Sequence, residues 1–220
     1  MADRTRHSSY HHGNLERALV DAGVKIVERG GASSLSVRAV ARAVGVSHAA
    51  PHHHFRDRDE LAAAVAQEGF HKLGVRLEKA VGDQSLDPVE RLTSACLAYV
   101  RFALEHPGLY RSMYAPDLSE RLEGIDAKDR PSSIRFLELM QTKAEIFDLF
   151  VNLVREGQER NQLASGTPSD MARLATSLAK GLSHEFIDEQ VGSRINRLEH
   201  AQEVFALMIS GLASRKKSRD

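Results

Sequence analysis

The chain has 220 residues, 42% apolar and 27% charged, an ordinary globular composition that can bury a core. No apolar run approaches the ~18 residues of a membrane span, and Met1 to Tyr10 is too polar for a signal peptide, so neither is expected. Cys96 is the single cysteine, which excludes an intramolecular disulfide, fits a reducing cytoplasm and suits a small core residue. The formal net charge is zero but unevenly spread: residues 1–56 hold eight basic and four acidic side chains and seven of the 11 histidines, leaving 22 basic and 26 acidic beyond. A basic head on an acidic body suggests that the head meets phosphate.

Apolar residues recur at helical spacing almost throughout, so an all-α fold is expected. Leu15, Ala18, Leu19, Ala22 and Ile26 mark a first helix, stopped by Gly30-Gly31. Val37, Val40, Ala41 and Val44 mark a short second helix capped by Ser36 and ended by Gly45. Ser47 can cap a short third helix. Pro51 would be its fourth residue, which predicts a tight or 3₁₀-like first turn. Asp57 with Glu60 starts a long fourth helix to about residue 81. Asp87-Pro88-Val89-Glu90 opens the next, which ends before His106-Pro107-Gly108. A short helix or turn follows to Tyr114, then a polar loop over 115–131. Long helices are expected over 133–158, from Thr167-Pro168 to near Gly192, and over 196–213, before a frayed basic tail, Arg215 to Asp220.

Two short helices joined by a Gly-containing turn form a helix-turn-helix. Within Ser36 to Leu61, Val40 and Val44 pack the first of the pair, Val46 plugs the angle, and Phe55 joins the core. The second helix exposes His48, Ala49, His52 and His53, short or polar side chains suited to a major groove. A two-helix corner alone is a weak signal. Its surroundings make it specific: a helix-ending Gly-Gly, then Leu-Ser, then Ala-x-x-x-Gly-Val-Ser, then His-Phe-x-x-Arg-x-x-Leu. Over residues 13–65 this resembles the N-terminal domain of the TetR family of transcriptional regulators. His-Ala-Ala-Pro and His-Pro-Gly-Leu-Tyr are similar to a branch with a so-called WHG C-terminal domain. This chain departs from that branch: it has no tryptophan, and Lys180-Gly181 stands where the branch carries His-Gly.

The resemblance implies a DNA-binding domain over 1–56, with the start of the fourth helix to about 65, and a helical ligand-binding and dimerisation domain over 57–220. It also implies a homodimer on double-stranded operator DNA, most simply a repressor released by a small, largely apolar effector. Ser36 would cap the second helix and meet a phosphate, and Arg38 would reach backbone or a groove edge. Ser47, His48, Ala49 and Ala50 would face bases. His52 holds a position usually taken by a phosphate-contacting tyrosine, His53 would touch phosphate, and Arg58 replaces the usual lysine at the start of the fourth helix. Tyr10, His11 and His12 lie where family arms touch DNA.

The run His52-His53-His54 also raises a metal reading. Adjacent helical histidines point about 100° apart, and no carboxylate or cysteine completes a tetrahedron at recognisable spacing, so no metal and no cofactor is expected. His48 and His52, four apart, remain a pair without further ligands.

In the body, Tyr99, Phe102, His106, Tyr110, Met113, Phe136, Met140, Phe147, Lys180 and His184 are the candidate pocket residues, with His106, Lys180 and His184 as polar handles. The same aromatic and Met set at helical spacing also reads as plain core. The last two helices are apolar over wide stripes, as expected for a four-helix bundle between two subunits. No nucleophile elbow, phosphate loop or zinc-protease helix is present, which argues against an enzyme. The alternative is a helix-turn-helix DNA-binding protein that ignores ligands and answers to a partner.

Overall fold

The computed structural model describes residues 12–115, 134–188 and 196–213. The expected arm at Tyr10-His11, most of the 115–131 loop, the stretch from 189 to Gly192 and the basic tail lie outside the described residues. Helices carry nearly all of the rest: α1 His12–Gly30, α2 Val37–Val44, α3 Arg58–Val81, α4 Pro88–Glu105, α5 Pro107–Met113, α6 Ile134–Glu159, α7 Pro168–Ile187 and α8 Arg197–Leu212. These match the sequence-based elements except at Ser47, described below, at α7, which stops at Ile187 rather than near Gly192, and at Ala32–Ser34, which add a 3₁₀ turn after α1.

The helix starts have local causes. The Asp57 carboxylate accepts from Asp59 N and Glu60 N, both at 2.9 Å, and opens α3. Its partner Glu60 reaches back to Arg56 N at 2.8 Å, one residue before the cap. At α4 the box is complete: Asp87 accepts from Val89 and Glu90, while Glu90 accepts from Asp87 N at 2.8 Å. Each cap is worth about 1 kcal/mol.

The body core forms where α3, α4, α6 and α7 meet. Leu73 and Leu77 from α3, Leu92, Cys96 and Val100 from α4, Phe150 and Val154 from α6, and Phe186 from α7 are all fully buried. Each such side chain contributes roughly 1.5–3 kcal/mol by leaving water. Burial also pushes the Cys96 thiol up to about 12, so it is core rather than nucleophile. Arg91 ties three elements together, donating to Val81 O at 3.0 Å and to Glu156 of α6 at 2.8 Å.

The helix α3 also backs α1, on which α2 packs in turn. The buried Glu68 of α3 accepts two hydrogen bonds from Arg17 of α1, at 2.9 and 3.0 Å, and lies 3.2 Å from Lys72. The α5 start sits directly on α1: a Cβ on Gly108 would lie 2.3 Å from Val27 O, so only glycine allows this approach. There Glu28 of α1 meets His106 Nδ1 at 3.0 Å and accepts from Leu109 N at 3.4 Å, which partly satisfies the α5 amides. Among the described residues no helix is long and apolar enough to cross a membrane.

Candidate nucleic-acid interface

Ser36 caps α2 as expected, its Oγ accepting from Ala39 N at 3.1 Å. Arg38 is exposed on α2, and Arg42 shares its side one turn later. The sequence carries no separate signal for Arg42. Gly45 then takes φ 79°, ψ 29°, the left-handed geometry that ends α2. Gly45 N and Val46 N both donate to Ala41 O at 3.0 Å, which reverses the chain and sets Val46 against the core.

The third element is not the α-helix expected from Ser47. Ala50–His53 form a single 3₁₀ turn, with Ala50 N donating to Ser47 O at 3.1 Å and His52 N to Ala49 O at 3.1 Å. The cause is Pro51. It has no N–H to give to Ser47 O, and its ring disfavours α geometry at Ala50. The tightening expected for the first turn therefore runs through the whole element. Pro51 points inward and is buried. Ser47, His48, Ala49, His52 and His53 are exposed, and Ala50 is half-buried. These exposed residues follow directly on α2, whose Arg38 and Arg42 are exposed as well.

His54 behaves differently from its two neighbours. Its side chain is only 10% exposed and its Nδ1 lies 3.5 Å from Glu16 of α1. Phe55 beside it is fully buried. Arg135 of α6 closes this rear side: it donates to Glu16 at 2.7 Å and to His54 O at 3.2 Å, and its guanidinium stacks 4.8 Å from the Phe55 ring centroid. Nothing in the sequence pattern marks Arg135, because its partners lie up to 119 residues away.

Arg58 is placed at the α3 start and partly exposed, but its donors serve the fold. Nε donates to Leu35 O at 3.2 Å and Nη2 to Ala32 O at 3.1 Å, which pins the loop after α1. Among the described residues no three His, Cys, Asp or Glu side chains lie close enough together to hold a metal ion.

The residues expected to line one body pocket are dispersed. Tyr99, Tyr110, Lys180 and His184 gather around Tyr114: the Tyr99 and Tyr114 hydroxyls hydrogen-bond, and Tyr110 OH lies 3.5 Å from His184 Nδ1. Met113 is buried against Gly69. Phe102 and His106 instead line a separate groove of about 600 Å³ with Val24, Lys25, Arg29 and Lys79. Phe147 packs under Arg173 at 5.4 Å, Met140 is 46% exposed, and Phe136 is half-buried against the core. Spacing puts Tyr99, Phe102 and His106 on one stripe and Phe136, Met140 and Phe147 on another, but which neighbour each residue meets depends on how the helices cross.

Similar proteins agree with this architecture. The family model described as bacterial regulatory proteins, tetR family, matches residues 19–65, and that described as tetracyclin repressor-like, C-terminal domain, matches residues 92–212. An uncharacterized helix-turn-helix-type transcriptional regulator, YobS of Bacillus subtilis, is 27% identical over 100 residues, 46% of this chain; the match spans about half (51%) of that protein. A solved protein of unknown function from Rhodococcus sp. RHA1 is 30% identical, with a TM-score of 0.77 over 94% of this chain and 100% of that one. A regulatory protein in the tetR family from Rhodococcus RHA1 shares the fold at 17% identity, TM-score 0.67, over 92% of this chain and 98% of that one. With a three-element head around a glycine-ended α2, an all-helical body behind it, and family models matching both parts, the chain belongs to the tetR family of bacterial regulatory proteins.

Proposed function

We propose that this protein is a repressor that binds operator DNA as a homodimer and is released by a small, largely apolar effector held in the body, residues 57–220. The observation that carries it is the Arg135 joint. One side chain of a body helix grips α1, the last carbonyl of the recognition turn and the aromatic ring behind it. Any ligand that shifts α6 therefore moves the recognition turn with it.

On the DNA side, Ser47, His48, Ala49 and Ala50 would meet base edges. Ser36, Arg38, His52, His53 and Arg58 would meet phosphates and set the register. The dimer would form through α7 and α8, where Leu174 and Leu207 leave 49% and 71% of their surface open in the single chain. These would add to the wide apolar stripes of the two helices when a second copy covers them. Two equal heads then read an inverted repeat with half-sites about one helical turn apart, or a multiple of it.

Selection from random duplexes should enrich an inverted repeat, bound ~10³-fold or more above random DNA, by a species that light scattering shows to be a dimer. A monomer at micromolar concentration, or no enriched repeat, defeats the reading. Arg135→Ala should leave the dimer intact and weaken operator binding; unchanged operator affinity would remove the joint from the mechanism.

A further inference from the structure

We propose that the aromatic cluster between α3, α5, α6 and α7 binds a ligand bearing a carboxylate, held by Lys143 and Lys180. The inference deepens the effector reading and rests on it for its biological meaning.

Elsewhere among the described residues, the largely buried arginines Arg91 and Arg135 have carboxylates, Glu156 and Glu16. Lys143 and Lys180 do not. Lys180 Nζ lies 4.2 Å from the Tyr114 ring centroid, and Lys143 Nζ lies 5.5 Å from that of Phe70. Those two rings pack edge-to-face at 5.4 Å, so both ammonium groups ride on one aromatic pair. Among the described residues neither has a carboxylate within ion-pair distance. Burial lowers the proton affinity of both, and for Lys180 the charge of Lys143 lowers it further. Lys143 is half-buried and Lys180 exposed, and the two like charges repel each other across one aromatic pair. A single carboxylate between them would relieve that repulsion.

The surrounding wall favours an organic acid over a bare anion. Tyr99, Tyr110 and Tyr114 are held as neutral phenols, chiefly by burial, which pushes Tyr114 up to about 12. They add no competing negative charge, and the half-buried Tyr114 ring, with Phe70, Tyr99 and Tyr110 packed in the core behind it, presents an apolar surface to a hydrocarbon or aryl body. Lys180 keeps one side open to solvent, which leaves a way in.

The probes are octanoate and 3-phenylpropionate against their primary amides, in thermal shift and calorimetry on the full chain at pH 7. The carboxylates should stabilise the protein and bind tenfold or more tightly than the amides. Lys143→Gln or Lys180→Gln should remove about tenfold of that affinity, and Lys143→Arg should retain it, since a charge-assisted bond is the difference. Far-UV circular dichroism checks that each Gln variant keeps the fold. Amides that match the carboxylates, Gln variants that bind them unchanged, or no stabilisation by either acid overturns the proposal. Lysine-dependent carboxylate binding that leaves operator affinity untouched upholds the site and instead defeats the effector reading.

Discussion

Three consecutive histidines show how differently the two faces of the head are built. His52 and His53 stand exposed on the outward face with Ser47, His48 and Ala49. His54, one residue later, is turned to the rear, where Glu16, Phe55 and Arg135 surround it. Residue type is the same; position in the 3₁₀ turn separates the roles. Three residues per turn put successive side chains about 120° apart, and the buried Pro51 fixes which side faces in. The front is therefore exposed while the rear is committed to the body. Substitutions at the rear should cost stability, and those at the front should change recognition.

Phe55→Ala tests the rear and should have the largest effect. The ring is fully buried and carries the Arg135 guanidinium, so about 3–5 kcal/mol should be lost in urea unfolding. A loss under ~1 kcal/mol would mean the rear is loosely built and the contrast between the faces is false.

Arg58→Ala sits on the boundary and should show both behaviours. Two carbonyl hydrogen bonds disappear, so about 1–3 kcal/mol of stability should go, toward the low end because the side chain is 41% exposed. If the arginine also meets phosphate, specific and random duplexes weaken together and the salt slope falls by about one per half-site. A stability loss with an unchanged salt slope would assign Arg58 wholly to the rear.

His48→Ala should leave unfolding within about 0.5 kcal/mol of the parent, because its side chain is exposed. Its expected effect is a discrimination loss of ~1–3 kcal/mol between preferred and altered operators. Equal weakening on all sequences would move His48 from base edge to backbone, and the reading face would have to be redrawn around the shortened turn.

What the sequence determined by itself is what short-range chemistry controls. Asp57 and Asp87 start helices because a carboxylate three residues upstream satisfies otherwise orphaned amides, and Gly45 ends α2 because only a residue without Cβ takes positive φ cheaply. Ser36, the buried Val40 and the strain at Pro51 were legible for the same reason: donor, acceptor and steric conflict lie within four residues. Even there the extent of the 3₁₀ turn was underestimated, since the pull of the buried Pro51 and Phe55 toward the core acts on the whole element. Only the tertiary structure decided the rest. Arg135 meets His54 across 81 residues, Arg17 meets Glu68 across 51, and Tyr110 meets His184 across 74. Those pairings depend on how helices cross, and helical periodicity states which stripe is apolar without stating which neighbour it will face. The same indeterminacy scattered the ten candidate pocket residues, which come from α4 through α7, among different neighbours. It also hid Lys143, which reads as one more solvated lysine until Phe70 and Lys180 are placed beside it.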